Sequence, residues 1–195
     1  KEGYKKNLTI IEQRHIQAVR ELIPITGQST VFSFVKSHCN EMEDICNGIF
    51  LLKELSARTK DRMSSYGELL SSKIITAAVQ SAGSARWINS ADLIKTNADY
   101  GNAIVDFAIT NKNIQEFIAA NPSPLYIAPG FIATDAEGIS TTLGRGGSDY
   151  SAAIYAAALN AGELEIWTDV SGMMTADPRL VNNARVIPVI SYQEA

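Results

Sequence analysis

The chain has 195 residues, 46% of them hydrophobic and 19% charged, which suffices for one ordinary domain with a real core and excludes disorder as the main state. Its net charge of -4 argues against a dedicated nucleic-acid binder, and its longest apolar run, Ala152 to Leu159, is far short of the ~18 residues of a membrane span. Two cysteines exclude a disulfide-stapled miniprotein. The charge is uneven: Lys1 to Ile75 holds 11 basic and 9 acidic residues, the remainder 6 and 12. A phosphate site in the acidic part must therefore use one of a few cations, backbone amides or a metal.

The first third, residues 1–62, reads as helical. Leu8, Ile11, Ile16, Val19, Leu22 and Ile23 recur at near-helical spacing until Pro24 and Gly27 interrupt. A second helical run holds Val31, Phe34, Val35, Cys39, Met42 and Ile45, and a third is expected after Gly48. Cys39 and Cys46, seven apart, share one helical face and fit buried free thiols, since no His or Cys completes a zinc spacing. Asn7-Leu8-Thr9 matches a glycosylation sequon, a three-residue pattern frequent by chance. The start at Lys1, without methionine, is expected of a piece of a longer protein.

From Met63 strands and helices alternate. Helices are expected over 66–82, 111–120 and 148–160, and strands at 85–89, 103–109, 124–128 and 163–167, with a hairpin within 130–143. This alternation implies an α/β fold with a mostly parallel sheet covered on both faces.

The most informative stretch is Thr141-Thr142-Leu143-Gly144-Arg145-Gly146-Gly147-Ser148-Asp149. Three glycines in four positions let backbone amides approach a ligand, and the loop opens onto a helix whose first N–H groups suit an anion. Arg145 adds a fork for carboxylate or phosphate. The dinucleotide and P-loop patterns do not fit. The plainer alternative is a glycine turn with Ser148 as N-cap and Asp149 complementing the helix dipole. Thr168 and Asp169 are expected just past a buried strand, where open α/β sheets place ligands, with Arg179 able to reach a phosphate. A surface loop with a turn at Asp177-Pro178 is the even alternative. Gly67-Glu68 is read as a helix start, where a glutamate usually serves the dipole but could hold a substrate ammonium group.

These segments, in this order, resemble aspartokinase, of the amino-acid kinase superfamily. The resemblance runs from about Met63 to Ala195 and is strongest at 141–153, 166–170 and 175–179. The helical first third and the ending Ser191 to Ala195 lean towards the bifunctional aspartokinase–homoserine dehydrogenases. The resemblance implies a three-layer α/β/α fold and transfer of the γ-phosphate of ATP, with Mg2+, to the side-chain carboxylate of L-aspartate, the first step towards lysine, threonine and methionine. By motif, Arg145 would grip a substrate carboxylate, Glu68 its ammonium group, and Phe131 would wall the pocket. Asp149 would organise the phosphoryl site, Gly147 and Ser148 would donate to phosphates, and Thr168, Asp169, Met174 and Arg179 would hold the nucleotide. Met174 stands where many relatives carry tyrosine.

The family's opening Lys-Phe-Gly-Gly segment and its later Phe-Gly-Ala-Lys segment are not among these residues. The 195 residues are therefore read as part of a catalytic domain, without its first strand and C-terminal part, and inactive alone because the phosphoryl-neutralising lysine is missing. The parent is expected to be cytoplasmic and a homo-oligomer through other domains, with no nucleic-acid or membrane partner. Another amino-acid kinase, or a silent ligand-binding module of the same fold, are the alternatives.

Overall fold

The computed structural model describes residues 2–169 and 171–194, in two compact units divided between Glu163 and Leu164. In the first unit, α1 (Glu2–Leu22), α2 (Ile25–Leu52) and α3 (Ala57–Gln80) pack on one another. Val19 and Ile23 of α1, Val31, Val35 and Cys39 of α2, and Leu70 and Ile74 of α3 form their shared core. Pro24 ends α1 as expected and precedes α2. Gly27 and Gly48 interrupt nothing, because α2 runs through both. One glycine costs a helix only ~1 kcal/mol relative to alanine, less than this buried stripe returns. Ser56 caps α3, its Oγ accepting from the Thr59 amide at 3.1 Å.

The rest of the unit is built on short strands. β1 (Arg86–Trp87) pairs in parallel with β2 (Tyr126–Ile127), and β3 (Ile132–Thr134) pairs antiparallel with β4 (Ser140–Thr142). Trp87 Nε1 donates to Ser72 Oγ at 3.0 Å, tying β1 to α3. Between the strands lie α4 (Ser90–Leu93) and α5 (Phe107–Ala120), and α6 (Gly147–Ala158) follows β4. A second core joins Ile88, Leu93, Ile94, Val105, Ile114, Ala133, Leu143, Ile154 and Ala158. The strand expected over 103–109 shrinks to one antiparallel bridge, Thr96 to Val105. Asp106 then caps α5 by accepting from the Ile109 amide at 3.0 Å, which converts the segment to helix.

The second unit, residues 164–194 as described, has neither helix nor paired strand. Met174 bridges Val186, with Thr175 N donating to Arg185 O at 2.9 Å and Ile187 N to Met173 O at 2.8 Å. The strand expected over 163–167 does not form. Leu164, Ile166 and Trp167 are 45%, 46% and 90% exposed. Alternation alone makes no strand without a neighbour to bond its backbone. Among the described residues no helix is long and apolar enough to cross a membrane.

Candidate active site

The glycine loop is locked in place before it reaches α6. β3 and β4 put Phe131 O opposite the Leu143 amide, 2.9 Å away. Phe131 then takes φ 68°, rare for an aromatic residue and costing roughly 1–2 kcal/mol. Its N–H donates to Ser151 Oγ (2.8 Å), and that hydroxyl donates to Gly147 O (2.8 Å), so α6 itself holds the strained turn. The approach is close: a Cβ on Gly130 would meet Ser148 Cα at 2.8 Å, and one on Gly147 would meet Phe131 Cδ2 at 2.9 Å. Gly130, Phe131, Gly147 and Ser148 thus form one interlocked corner. Strain kept at such a corner is the usual mark of a functional site.

Gly146, with φ 76°, is the N-cap of α6, and no side chain caps the helix. Ser148 is therefore not the N-cap; it is the second helical residue, exposed to solvent. The Gly147 amide donates to Gly144 O at 3.1 Å and that of Tyr150 to Gly146 O at 3.1 Å. The amides of Ser148 and Asp149 have no acceptor among the described residues. Arg145 and Asp149 are both exposed, and neither side chain has an ion pair or hydrogen bond among the described residues. The corner thus offers two free N–H groups at a helix N-terminus, one free guanidinium and one free carboxylate, a set suited to an anion and its counterion.

Glu68 is not at a helix start. It lies in the middle of α3, more than two turns past Ser56, so a dipole role is ruled out. It is half-buried, no cation or donor meets its carboxylate among the described residues, and burial pushes its pKa above the usual 4.5. A half-buried carboxylate without a countercharge suits an arriving ammonium group. Because the folded chain holds this proton longer than the unfolded one, the penalty is absent below the ordinary glutamate pKa and complete above the raised one. Stability should decline as pH climbs through that interval, and Glu68→Gln should flatten this part of the profile. Urea unfolding from acid pH to neutrality checks it; parallel profiles for the two proteins would remove the buried-charge reading.

Asp61, which the sequence did not single out, holds the frame. It is 2% exposed and accepts three hydrogen bonds: Oδ2 from Gly101 N (2.8 Å) and Thr142 N (3.0 Å), Oδ1 from Thr142 Oγ1 (2.9 Å). Gly144, just past β4, sits against Gly101 and Asn102, its Cβ position 3.0 Å from Asn102 Oδ1. One carboxylate on α3 therefore fixes the 101–102 turn and the strand that leads into the glycine loop. Two turns on, the same helix carries Glu68.

In the second unit, Thr168 and Asp169 are exposed, with a 3.3 Å contact between Thr168 Oγ1 and Asp169 Oδ1. They follow a segment that is not a strand. Met174 is half-buried at its bridge to Val186. Arg179 grips Asp177 through two nitrogens, at 3.1 and 2.9 Å, holding that carboxyl below the usual range. A phosphate would have to share this guanidinium.

No group of three or more His, Cys, Asp and Glu gathers for a metal ion among the described residues. A cation carried on phosphates needs only one or two carboxylates, and the free Asp149 beside the loop fits that lesser demand.

The helices and short strands around this corner build an α/β protein of the amino-acid-kinase fold. The chain belongs to the amino acid kinase family, whose model matches residues 2–195. It is 33% identical to the bifunctional aspartokinase/homoserine dehydrogenase 2 of Arabidopsis thaliana, over all of this chain and 21% of that protein. It is 37% identical to the bifunctional enzyme of Buchnera aphidicola, over 97% of this chain and 24% of that protein, and 34% identical to the aspartokinase of Schizosaccharomyces pombe, over 95% and 36%. The chain thus spans between about a fifth and about a third of these relatives. The crystal structure of Escherichia coli aspartokinase III with aspartate and ADP superposes with a TM-score of 0.84 at 29% identity, covering 94% of this chain and 40% of that one.

Proposed function

We propose that the full-length protein transfers the γ-phosphate of MgATP to the side-chain carboxylate of L-aspartate. A carboxylate oxygen forms the new bond to the γ-phosphorus, the bond to the β–γ bridging oxygen breaks, and 4-phospho-L-aspartate and ADP result. The observation that carries this reading is the corner at α6, where the free Ser148 and Asp149 amides stand beside the unpaired Arg145. The aspartate and ADP named in the E. coli aspartokinase III structure support it.

In this reading Arg145 holds a substrate carboxylate, Glu68 the substrate ammonium, and Phe131 walls the same pocket. Gly147 and Ser148 border the phosphates, and Asp149 orients the groups around the transferring phosphoryl. Thr168, Asp169, Met174 and Arg179 hold the nucleotide. Phosphoryl transfer depends on positioning and charge neutralisation, and Mg2+ bound with the nucleotide supplies part of that neutralisation. We also propose a cytoplasmic, homo-oligomeric parent. The free thiols, Cys39 buried and Cys46 half-buried, suit a reducing compartment, although the plant relatives are named chloroplastic.

A coupled ADP-release assay of the full-length protein with L-aspartate and L-glutamate tests the reading; turnover with glutamate alone would sink it. Arg145→Lys, which loses the bidentate fork, should raise the aspartate KM by about tenfold or more and leave the ATP KM nearly unchanged. An unaltered aspartate dependence would remove Arg145 from the substrate site.

A further inference from the structure

A cavity of about 520 Å3 lies where the start of α2, the C-terminal half of α3 and β1 meet, and shares no residue with the corner at α6. Its size falls within the ~300–1,000 Å3 of small-molecule sites. Among the described residues Lys73 is the one charged side chain lining it, and no acid does. The Lys73 ammonium lies 4.3 Å from the ring centroid of Trp87 and 5.6 Å from that of Phe34. Aromatic faces attract a cation but bring no countercharge. No carboxylate lies within ion-pair distance of this ammonium among the described residues.

The remaining lining divides by chemistry. Ile23, Pro24, Val31 and Ala77 give apolar wall, and the indole of Trp87 adds an aromatic one. Thr76 spends its hydroxyl on Ser72 O at 2.7 Å. The Thr26 and Thr30 hydroxyls have no hydrogen-bond partner among the described residues. Burial lowers the Lys73 pKa, so its charge is held at a cost that an arriving anion would relieve. A single cation balances a single negative charge and leaves a dianion half unmatched.

We propose that this cavity binds a small organic monocarboxylate with an apolar or aromatic body, its carboxylate on Lys73 and a threonine hydroxyl, its body against Trp87 and the aliphatic wall. The site is separate from the phosphoryl-transfer chemistry and does not rest on it.

Benzoate is the probe and benzamide its neutral isostere, titrated calorimetrically into the full-length protein. Benzoate should bind with 1:1 stoichiometry, about tenfold or more tighter than benzamide. Lys73→Gln should abolish that preference, and Lys73→Arg should retain most of it. Because Arg145 offers carboxylates another partner, the titration is repeated with Arg145→Gln, where benzoate affinity should be unchanged. Loss in Arg145→Gln instead of Lys73→Gln would assign the binding to the glycine loop and overturn the proposal. Equal affinity for benzoate and benzamide, or no saturable heat with benzoate, would overturn it too.

Discussion

If the full-length protein is the proposed kinase, Asp149→Asn is expected to reduce its turnover by on the order of 10²–10³-fold while barely moving its melting temperature. The two halves of that result come from separate facts. Asp149 is exposed in the first turn of α6, and its carboxylate makes no hydrogen bond or ion pair among the described residues, so the fold loses only the helix-dipole term, roughly 0.3–1 kcal/mol. The corner around it is built from Phe131, Ser151, Gly130 and Gly147, none of which needs that carboxylate. Asparagine keeps the shape and loses the charge. If the charge orients the groups around the transferring phosphoryl, kcat falls and the KM for aspartate changes little. Steady-state kinetics with each substrate varied, beside a thermal melt, make the check. A melting shift with normal kcat would return Asp149 to a purely structural role.

The parts of this site that were legible in the sequence are local. Gly144, Gly146 and Gly147 ahead of an alanine-rich run announced a loop opening onto a helix, and α6 starts at Gly147. The plainer alternative puts the cap at Ser148 because serine is a good capping type, whereas the αL geometry of Gly146 decides where the helix begins. Phe131 was singled out, but not its seat: the turn at Gly130-Phe131 meets Gly147-Ser148 across 17 residues of chain, and only the hairpin brings them together. Gly67-Glu68 suggested a helix start because glycine usually punctuates, yet α3 passes straight through it, since packing against the other helices outweighs one glycine. The segment at 163–167 has an alternating pattern without the neighbour that would make it a strand. Asp61 carried no signal at all. An acid in a helix reads as solvated until long-range contacts show that Gly101 and Thr142 close over it.

That buried acid is where substitution should damage the fold most. Asp61→Ala is expected to destabilise the protein by about 2–4 kcal/mol, because it strips three hydrogen bonds at once and leaves a buried strand amide without an acceptor. Asp61→Asn should recover only part of the loss. Its single carbonyl oxygen can accept from the Thr142 hydroxyl, but its NH2 group then faces two donors where Oδ2 took the Gly101 and Thr142 amides. Thr142→Val, which removes one hydroxyl and keeps the amide, should cost less than either. Combined with Asp61→Ala it should show a coupling of roughly 0.5–3 kcal/mol, since the two residues share one bond. Urea unfolding of the four proteins measures this cycle. The consequence for chemistry lies one step along the chain: with the strut gone, α3 and the strand feeding the glycine loop are no longer pinned to each other. Both Glu68 and Arg145 should then lose their fixed places, and the aspartate KM should rise further than the ATP KM in whatever fraction still folds. Additive energies for Asp61→Ala and Thr142→Val would mean that the carboxylate and the strand act independently, and would break the link between this buried acid and the loop.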